Sequence, residues 1–343
     1  RKQGEVVYII KRKKTQYVGV VEKFNNGFSV QPKNINLPFL ISKENIGKAK
    51  LGDCVLVSIQ DWKQKSNYPQ AVVKEILGTP GNHETEIHTI MATHGLPWNF
   101  NKEIDECALQ LKAEITKNEI AERRDFRNVL TFTIDPKDAK DFDDAISFKV
   151  LSKDLFEVGV HIADVSHYVQ PGSVLDKEAY QRATSIYLVD RVVPMLPERL
   201  SNQICSLRPN EEKLTFSAVF KITSAGEVKS EWYGKTVILS DARFAYEEAQ
   251  HMISSQSKII PSKISLTSAE HIVKEDVFEA IQHLQNIAST RRKNRLIKGA
   301  INFNKQEVLF DLDEQNNPKS VLVKESKAAN HLIEEFMLLA NES

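Results

Sequence analysis

At 343 residues the chain is long enough for two domains with a sizeable core. Its 46 Lys and Arg balance 46 Asp and Glu, and a formal net charge of zero argues at first sight against a nucleic-acid binder. No apolar run approaches the roughly 20 residues of a membrane span, and Cys54, Cys107 and Cys205 form neither a close pair nor a metal-binding spacing. Membrane insertion, a disulfide framework and a zinc knuckle are thereby excluded, and a reducing, cytoplasmic setting is expected.

The charges are unevenly placed. Residues 1–80 hold 14 Lys and Arg against 6 Asp and Glu, a balance of +8, which leaves −8 for the remainder. A polyanion would therefore meet the basic end first. That end begins RKQGEVVYIIKRKK, too short an apolar stretch for a signal peptide. It continues as short strand-like runs: GEVVYIIKR, QYVGVVEKF, GFSVQP, FLISK, DCVLVSIQDW and AVVKEIL, with Asn25, Asn26, Gly27 and Gly52 at turns. So many strands in about 80 residues predict a small closed barrel.

Residues 81–122 read as a connecting segment that opens with turn formers, passes through a short helix, and reaches a helix over about 101–122. Ile104, Cys107, Leu109, Leu111 and Ile115 fall partly on one face of that second helix. Strands separated by turns dominate from there to about 250. A long helix is predicted from near Ser268 to Lys298, with Val277, Ala280, Ile281, Leu284 and Ile287 at helical spacing and Gly299 as the stop. Its basic end, Arg291, Arg292, Lys293, Arg295 and Lys298, suits either phosphate binding or a solvated face favoured by the helix dipole. No internal repeat is present.

The most informative segment is TFTIDPKDAKDFDDAISFKV over 131–150. Val129, Leu130, Phe132 and Ile134 before the acids, and Ala145, Ile146, Phe148 and Val150 after them, are strand-like, so the acids occupy a turn between strands. Acid-rich turns are commonly solvated surface, but this one uses only the short acid and is bordered by apolar residues on both sides. Carboxylates packed so closely raise one another's pKa unless cations screen them, which points to bound divalent metal. A calcium EF-hand starting at Asp141 would need Asp or Asn at 145 and Gly at 146, where Ala145 and Ile146 stand.

The run TIDPKDAKDFDD resembles the catalytic signature of the RNB family of exoribonucleases, to which ribonuclease II and ribonuclease R belong. Further blocks follow in the family's order: GVHIADVSHYV from Gly159, VVPMLPERLSNQICSLRPNE from Val192, GAINF from Gly299 and NHLIEEFMLLAN from Asn330. The resemblance implies an α+β chain: residues 1–80 an OB-type cold-shock barrel that binds RNA, residues 123–343 part of a mixed α/β RNB catalytic domain. It implies magnesium-dependent hydrolysis of single-stranded RNA from a free 3′ end to nucleoside 5′-monophosphates, with manganese as a substitute metal. Paired metal ions about 4 Å apart can activate water and stabilise both the transition state and the leaving oxygen. Hard carboxylate oxygens suit such ions.

By the same resemblance, Asp135, Asp141, Asp143 and Asp144 are the catalytic and metal-binding aspartates. Asp135 and Asp144 would hold the tighter magnesium, and Asp141 and Asp143 the second position and the attacking water; Asp138 has no counterpart. Tyr187 and Phe303 would pack against the last nucleotides and Glu335 would touch the terminal sugar. In the barrel, Lys11 to Lys14 would bind backbone, with Tyr17, Phe24 and Phe28 as stacking faces or ordinary core rings. His161, Asp164 and His167 are more consistent with supporting groups beside the turn than with a transition-metal site, because their spacing fits no helical ligand pair.

The family's domain continues beyond the IEEF block to an Arg-rich block that clamps the scissile phosphate. The first residue is Arg, so the chain is expected to be an incomplete piece of a longer monomeric enzyme, weak or inactive alone, and a candidate member of an RNA-degradation complex. The alternative is a non-catalytic, RNA-binding or regulatory RNB-like protein. Such a chain would be expected to lose signature acids, and all four are kept.

Overall fold

The computed structural model describes residues 10, 14–25, 27–32, 35–62, 67–301, 307–313 and 318–342. The expected strand GEVVYIIKR, Lys11–Lys13 and Phe303 lie outside these residues. The chain divides into two compact units between Phe100 and Asn101.

The first unit is built from β1 (Gln16–Phe24), β2 (Gly27–Pro32), β3 (Phe39–Ile41), β4 (Cys54–Asp61) and β5 (Gln70–Gly78), followed by α1 (His83–His94). The strands close in the order β1-β2-β3-β5-β4, with β3 and β5 parallel and every other pair antiparallel. This is the expected OB-type barrel. Alternation places Val21, Val30, Phe39, Ile41, Val55 and Val57 inside. Gly19, paired to both β2 and β4, sits where a Cβ would lie 2.4 Å from the Gln31 carbonyl oxygen, so only glycine allows this close approach. Tyr17 packs edge-on to Phe39 at 5.0 Å and Phe28 lies against the same core, while Phe24 meets Tyr68 at 5.5 Å. Tyr17 and Phe28 thus serve the barrel core. Helix α1 starts where the Asn82 side chain accepts from the Glu84 N–H and ends at Gly95, at φ +70°. Ala92 joins Val18, Cys54, Leu56 and Leu77 in a small cluster on the barrel.

The second unit opens with α2 (Lys102–Gln110) and α3 (Lys117–Ala121), in place of the single helix expected over 101–122. Leu111 leaves the helical region at ψ 129°, and Thr116 with Glu119 forms a capping box that starts α3 afresh. The local cap outweighs the apolar periodicity. Then follow β6 (Arg124–Asp125), β7 (Thr131–Asp135), β8 (Asp144–Ser152), β9 (Leu155–Ala163), α4 (Val165–Tyr168), α5 (Val174–Arg182), β10 (Ile186–Tyr187), β11 (Val192–Val193) and a π-helical turn at Arg199–Ile204. The long strands β12 (Glu212–Thr223) and β13 (Val228–Leu239) lead to β14 (Ala242–Ala245), α6 (Tyr246–Ser255), β15 (Ile259–Ile260) and β16 (His271–Ile272). The described part ends with α7 (Glu275–Ile297), β17 (Glu307–Leu312), β18 (Pro318–Lys324) and α8 (Ala328–Glu342). Helix α7 starts later than Ser268 because 259–272 is taken up by turns and the β15–β16 pair.

Seven strands form one sheet in the order β14-β7-β8-β9-β12-β13-β6. One face buries Phe132, Ile146, Val160 and Phe220 under α6, α7 and α8, which supply Met252, Leu284 and Phe336. The other face is polar. The Nδ1 of His161 bonds to Ser217 Oγ at 2.6 Å and its Nε2 to Ser147 Oγ at 2.8 Å, and Ser217 continues to Thr236 at 2.5 Å, so the chain of bonds crosses four strands. Gly159 makes room for it: a Cβ there would stand 2.4 Å from Ser147 Oγ and 2.6 Å from His161 Nε2. Phe126 covers His161 at 5.0 Å. Burial pushes the imidazole down to about 3, so it is neutral near pH 7.

Candidate active site

The end of β7 delivers Asp135 and the start of β8 delivers Asp144; between them the chain turns through Asp138, Asp141 and Asp143. All five residues of β7 are buried, so Asp135 is carried at the end of an element that cannot shift freely. Its Oδ2 is buried without a hydrogen-bond partner. An orphaned carboxylate oxygen inside a protein is costly unless a cation or proton meets it.

The electrostatics follow from this crowding. Burial pushes Asp135 up to about 7; Thr133 and Arg243 oppose the rise, and the charges of Asp144 and Asp141 add to it. Burial, then Asp143, pushes Asp144 up to about 6. Asp143 is exposed at the surface of the turn yet crowded by protein, and that crowding together with Asp141 raises its pKa. Three of the four signature acids thus resist ionising for want of positive charge. Among the described residues no three His, Cys, Asp or Glu side chains converge closely enough to hold a metal. The donor set fits magnesium or manganese: short hard acids, one with an unsatisfied buried oxygen.

Tyr187, on β10, is joined to this turn. Its hydroxyl donates to Asp141 Oδ2 at 2.9 Å while the ring remains 67 % exposed. Burial of the hydroxyl end and that bond push its pKa up to about 12, so it stays a donor. Glu335 on α8, expected by resemblance to touch the terminal sugar, is only 3 % exposed and is held by Arg295 and, at 3.6 Å, by Arg292 of α7. These are its partners, rather than the acidic turn. The same contacts absorb much of the basic end of α7, since Arg291 also donates to the Gly226 carbonyl at 3.1 Å. Asp138 is exposed. Asp164 is ion-paired with Arg123 at 2.7 Å and His167 with Glu119 at 2.8 Å, and both ring nitrogens of His161 are occupied.

Two residues the sequence did not single out shape the turn. Arg243 on β14 places Nη2 3.1, 2.9 and 3.2 Å from the carbonyl oxygens of Pro136, Lys137 and Ala139, which share its two N–H donors. Ser206 accepts from the Phe142 N–H at 3.1 Å and donates to the Lys140 carbonyl at 2.9 Å. Ser206 lay within a quoted block, ICSLRPNE; Arg243, in ARFAYEE, carried no motif signal.

Residues 123–343 match the RNB domain family, and residues 29–101 match the cold shock domain family. The chain belongs to the RNB family. Among curated RNB relatives, DIS3-like exonuclease 2 of Schizosaccharomyces pombe is 45% identical over 291 residues, which cover 84% of this chain and 31% of that protein. The Mycoplasma genitalium RNase R solved with ribose-methylated single-stranded RNA superposes with a TM-score of 0.87 at 26% identity, covering 98% of this chain and 51% of that one. Yeast Ssd1, a pseudonuclease, shares the fold at 18% identity and a TM-score of 0.68 over 96% of this chain and 40% of its own. The chain spans between 31% and 42% of the length of the first curated relatives it matches.

Proposed function

We propose that this RNB chain is the cold-shock and leading catalytic part of a 3′-to-5′ exoribonuclease that hydrolyses single-stranded RNA to nucleoside 5′-monophosphates with magnesium. The observation that carries the reading is the acidic turn itself: four aspartates around one strand connection, with Asp135 Oδ2 buried and unpartnered and three carboxyls pushed upward by burial and mutual charge. Asp135 and Asp144 would hold the first cation, and Asp141 and Asp143 the second. Bound there, the metal supplies positive charge for the transferring phosphate and lowers the pKa of the attacking water. Asp143, the exposed acid, would orient that water.

The Tyr187 ring offers a stacking face for the terminal base, worth about 1–3 kcal/mol without regard to sequence, and its bond to Asp141 fixes the ring beside the acids. Glu335 and Phe303 remain assigned to the terminal nucleotide by resemblance. The barrel's basic excess would gather the RNA backbone. Three free cysteines agree with a reducing, cytoplasmic setting, and no described helix is long and apolar enough to cross a membrane. A monomer working within an RNA-degradation complex belongs to the same reading, as does weak activity of residues 1–343 tested alone.

The test is product analysis. The full-length protein is incubated with magnesium and single-stranded RNA bearing either a free or a blocked 3′ end. Nucleoside 5′-monophosphates released only from the free end are expected; internal fragments, or no release from either RNA, would overturn the reading.

A further inference from the structure

The turn 136–142 has to keep four mutually repelling carboxylates within reach of one another, and little inside it does so. Its own backbone supplies one bond, the Ala139 N–H to the Pro136 carbonyl at 3.1 Å. The rest of its restraint comes from outside. On one side, β14 runs parallel to β7 with Arg243 opposite Thr133. That register sends the guanidinium under the turn, where its Nη2 meets the carbonyls of Pro136, Lys137 and Ala139 within 3.2 Å and the group lies 4.5 Å from the Phe142 ring centroid. On the other side, Ser206 grips the Phe142 N–H and the Lys140 carbonyl, and the Leu207 N–H donates to the Phe142 carbonyl at 2.8 Å.

We propose that Arg243 is the positioning residue of the acidic turn, holding three of its carbonyls and the Phe142 ring so that Asp135, Asp141, Asp143 and Asp144 stay within reach of the two cation positions proposed above. The inference rests on the metal-site reading above. Geometry rather than charge is the point. The guanidinium sets one terminal nitrogen among the three carbonyls while its plane lies over the Phe142 ring, and its Nε is buried without a partner; a lysine ammonium keeps the charge and the donors but has no planar face to lie on the ring. Without the clamp, repulsion among the acids would open the turn, and each cation would first have to close it again.

The test uses the full-length protein and two readouts. Mn²⁺ binding is followed by electron paramagnetic resonance in wild type, Arg243→Met, Arg243→Lys and, as a control, Asp144→Asn; amide hydrogen exchange is followed at Ala139 and Phe142. Arg243→Met should weaken Mn²⁺ binding at least tenfold and speed exchange at both amides at least tenfold, and Arg243→Lys should recover less than a third of the lost affinity. Full recovery by Arg243→Lys would show that charge alone matters and overturn the clamp. So would an Arg243→Met protein with Mn²⁺ affinity and exchange within twofold of wild type, or one that melts lower with both unchanged. If wild type and Asp144→Asn bind Mn²⁺ equally poorly, the metal reading fails, and the exchange data alone decide whether Arg243 holds the turn. Should Arg243→Met not fold, Ser206→Ala, which removes the opposite grip, should shift both readouts in the same direction; no shift would overturn the proposal.

Discussion

At the scale of single residues, the acidic turn is a set of groups each displaced from its ordinary behaviour for a nameable cause. Asp135, pushed up to about 7, and Asp144, up to about 6, are largely and about half protonated at pH 6 and ionised at pH 8. A divalent cation binds the ionised forms and must displace those protons. The magnesium concentration for half-saturation should therefore fall as pH rises from 6 to 8, by as much as about tenfold per displaced proton per unit below its pKa, and then level off. The stability effect has the opposite sign in metal-free protein. A carboxyl raised above its unfolded value stabilises fully below about 4 and loses that contribution as pH rises through its folded value near 6 to 7. Magnesium should consequently raise the melting temperature more at pH 8 than at pH 5.5. Isothermal titration and thermal melting at both pH values check this; a metal affinity independent of pH would contradict it.

At the scale of elements, the sheet is held as much by its polar face as by its core. Gly159 lies opposite Ser147 and leaves just enough space for the His161–Ser147 bond. Gly159→Ala should displace the imidazole and leave buried polar atoms unpaired, costing about 1–3 kcal/mol, to be read as a lower denaturant midpoint with an unchanged slope. A midpoint equal to wild type would show that the row is slack. Much at this scale was legible beforehand. The alternation in QYVGVVEKF and GFSVQP returned β1 and β2, and the apolar flanks of the acids returned β7 and β8, because period-two burial is written directly in side-chain polarity. The broken helix at 111–116 was not legible from periodicity, since a capping box competes locally with an apolar stripe and only the backbone shows which prevails. The four acids and Tyr187 were assigned through resemblance to the family's motifs, and the structure joins Tyr187 to Asp141. Arg243 was not, because its role arises from a parallel strand pairing more than 100 residues away in sequence from the turn it holds. The ion pairs of Glu335 likewise depend on how α7 and α8 pack.

At the scale of the whole molecule, a neutral chain conceals a division of labour. The +8 of residues 1–80 falls with the barrel strands, in the part of the chain that matches the cold shock family, and the −8 of the remainder includes the RNB-matching residues and their acidic turn. Attraction of a polyanion and binding of a metal are opposite electrostatic tasks, and in the reading proposed above they would fall to different parts of the chain. The central claim is that the acidic turn performs hydrolysis. The most direct test compares full-length wild type with Asp143→Asn on 5′-labelled single-stranded RNA, in magnesium and in chelator, with RNA binding measured alongside. The account expects magnesium-dependent shortening from the 3′ end by wild type, and in Asp143→Asn RNA affinity within a few fold of wild type with hydrolysis lost. Unchanged shortening by Asp143→Asn, or shortening that persists in chelator, would contradict it.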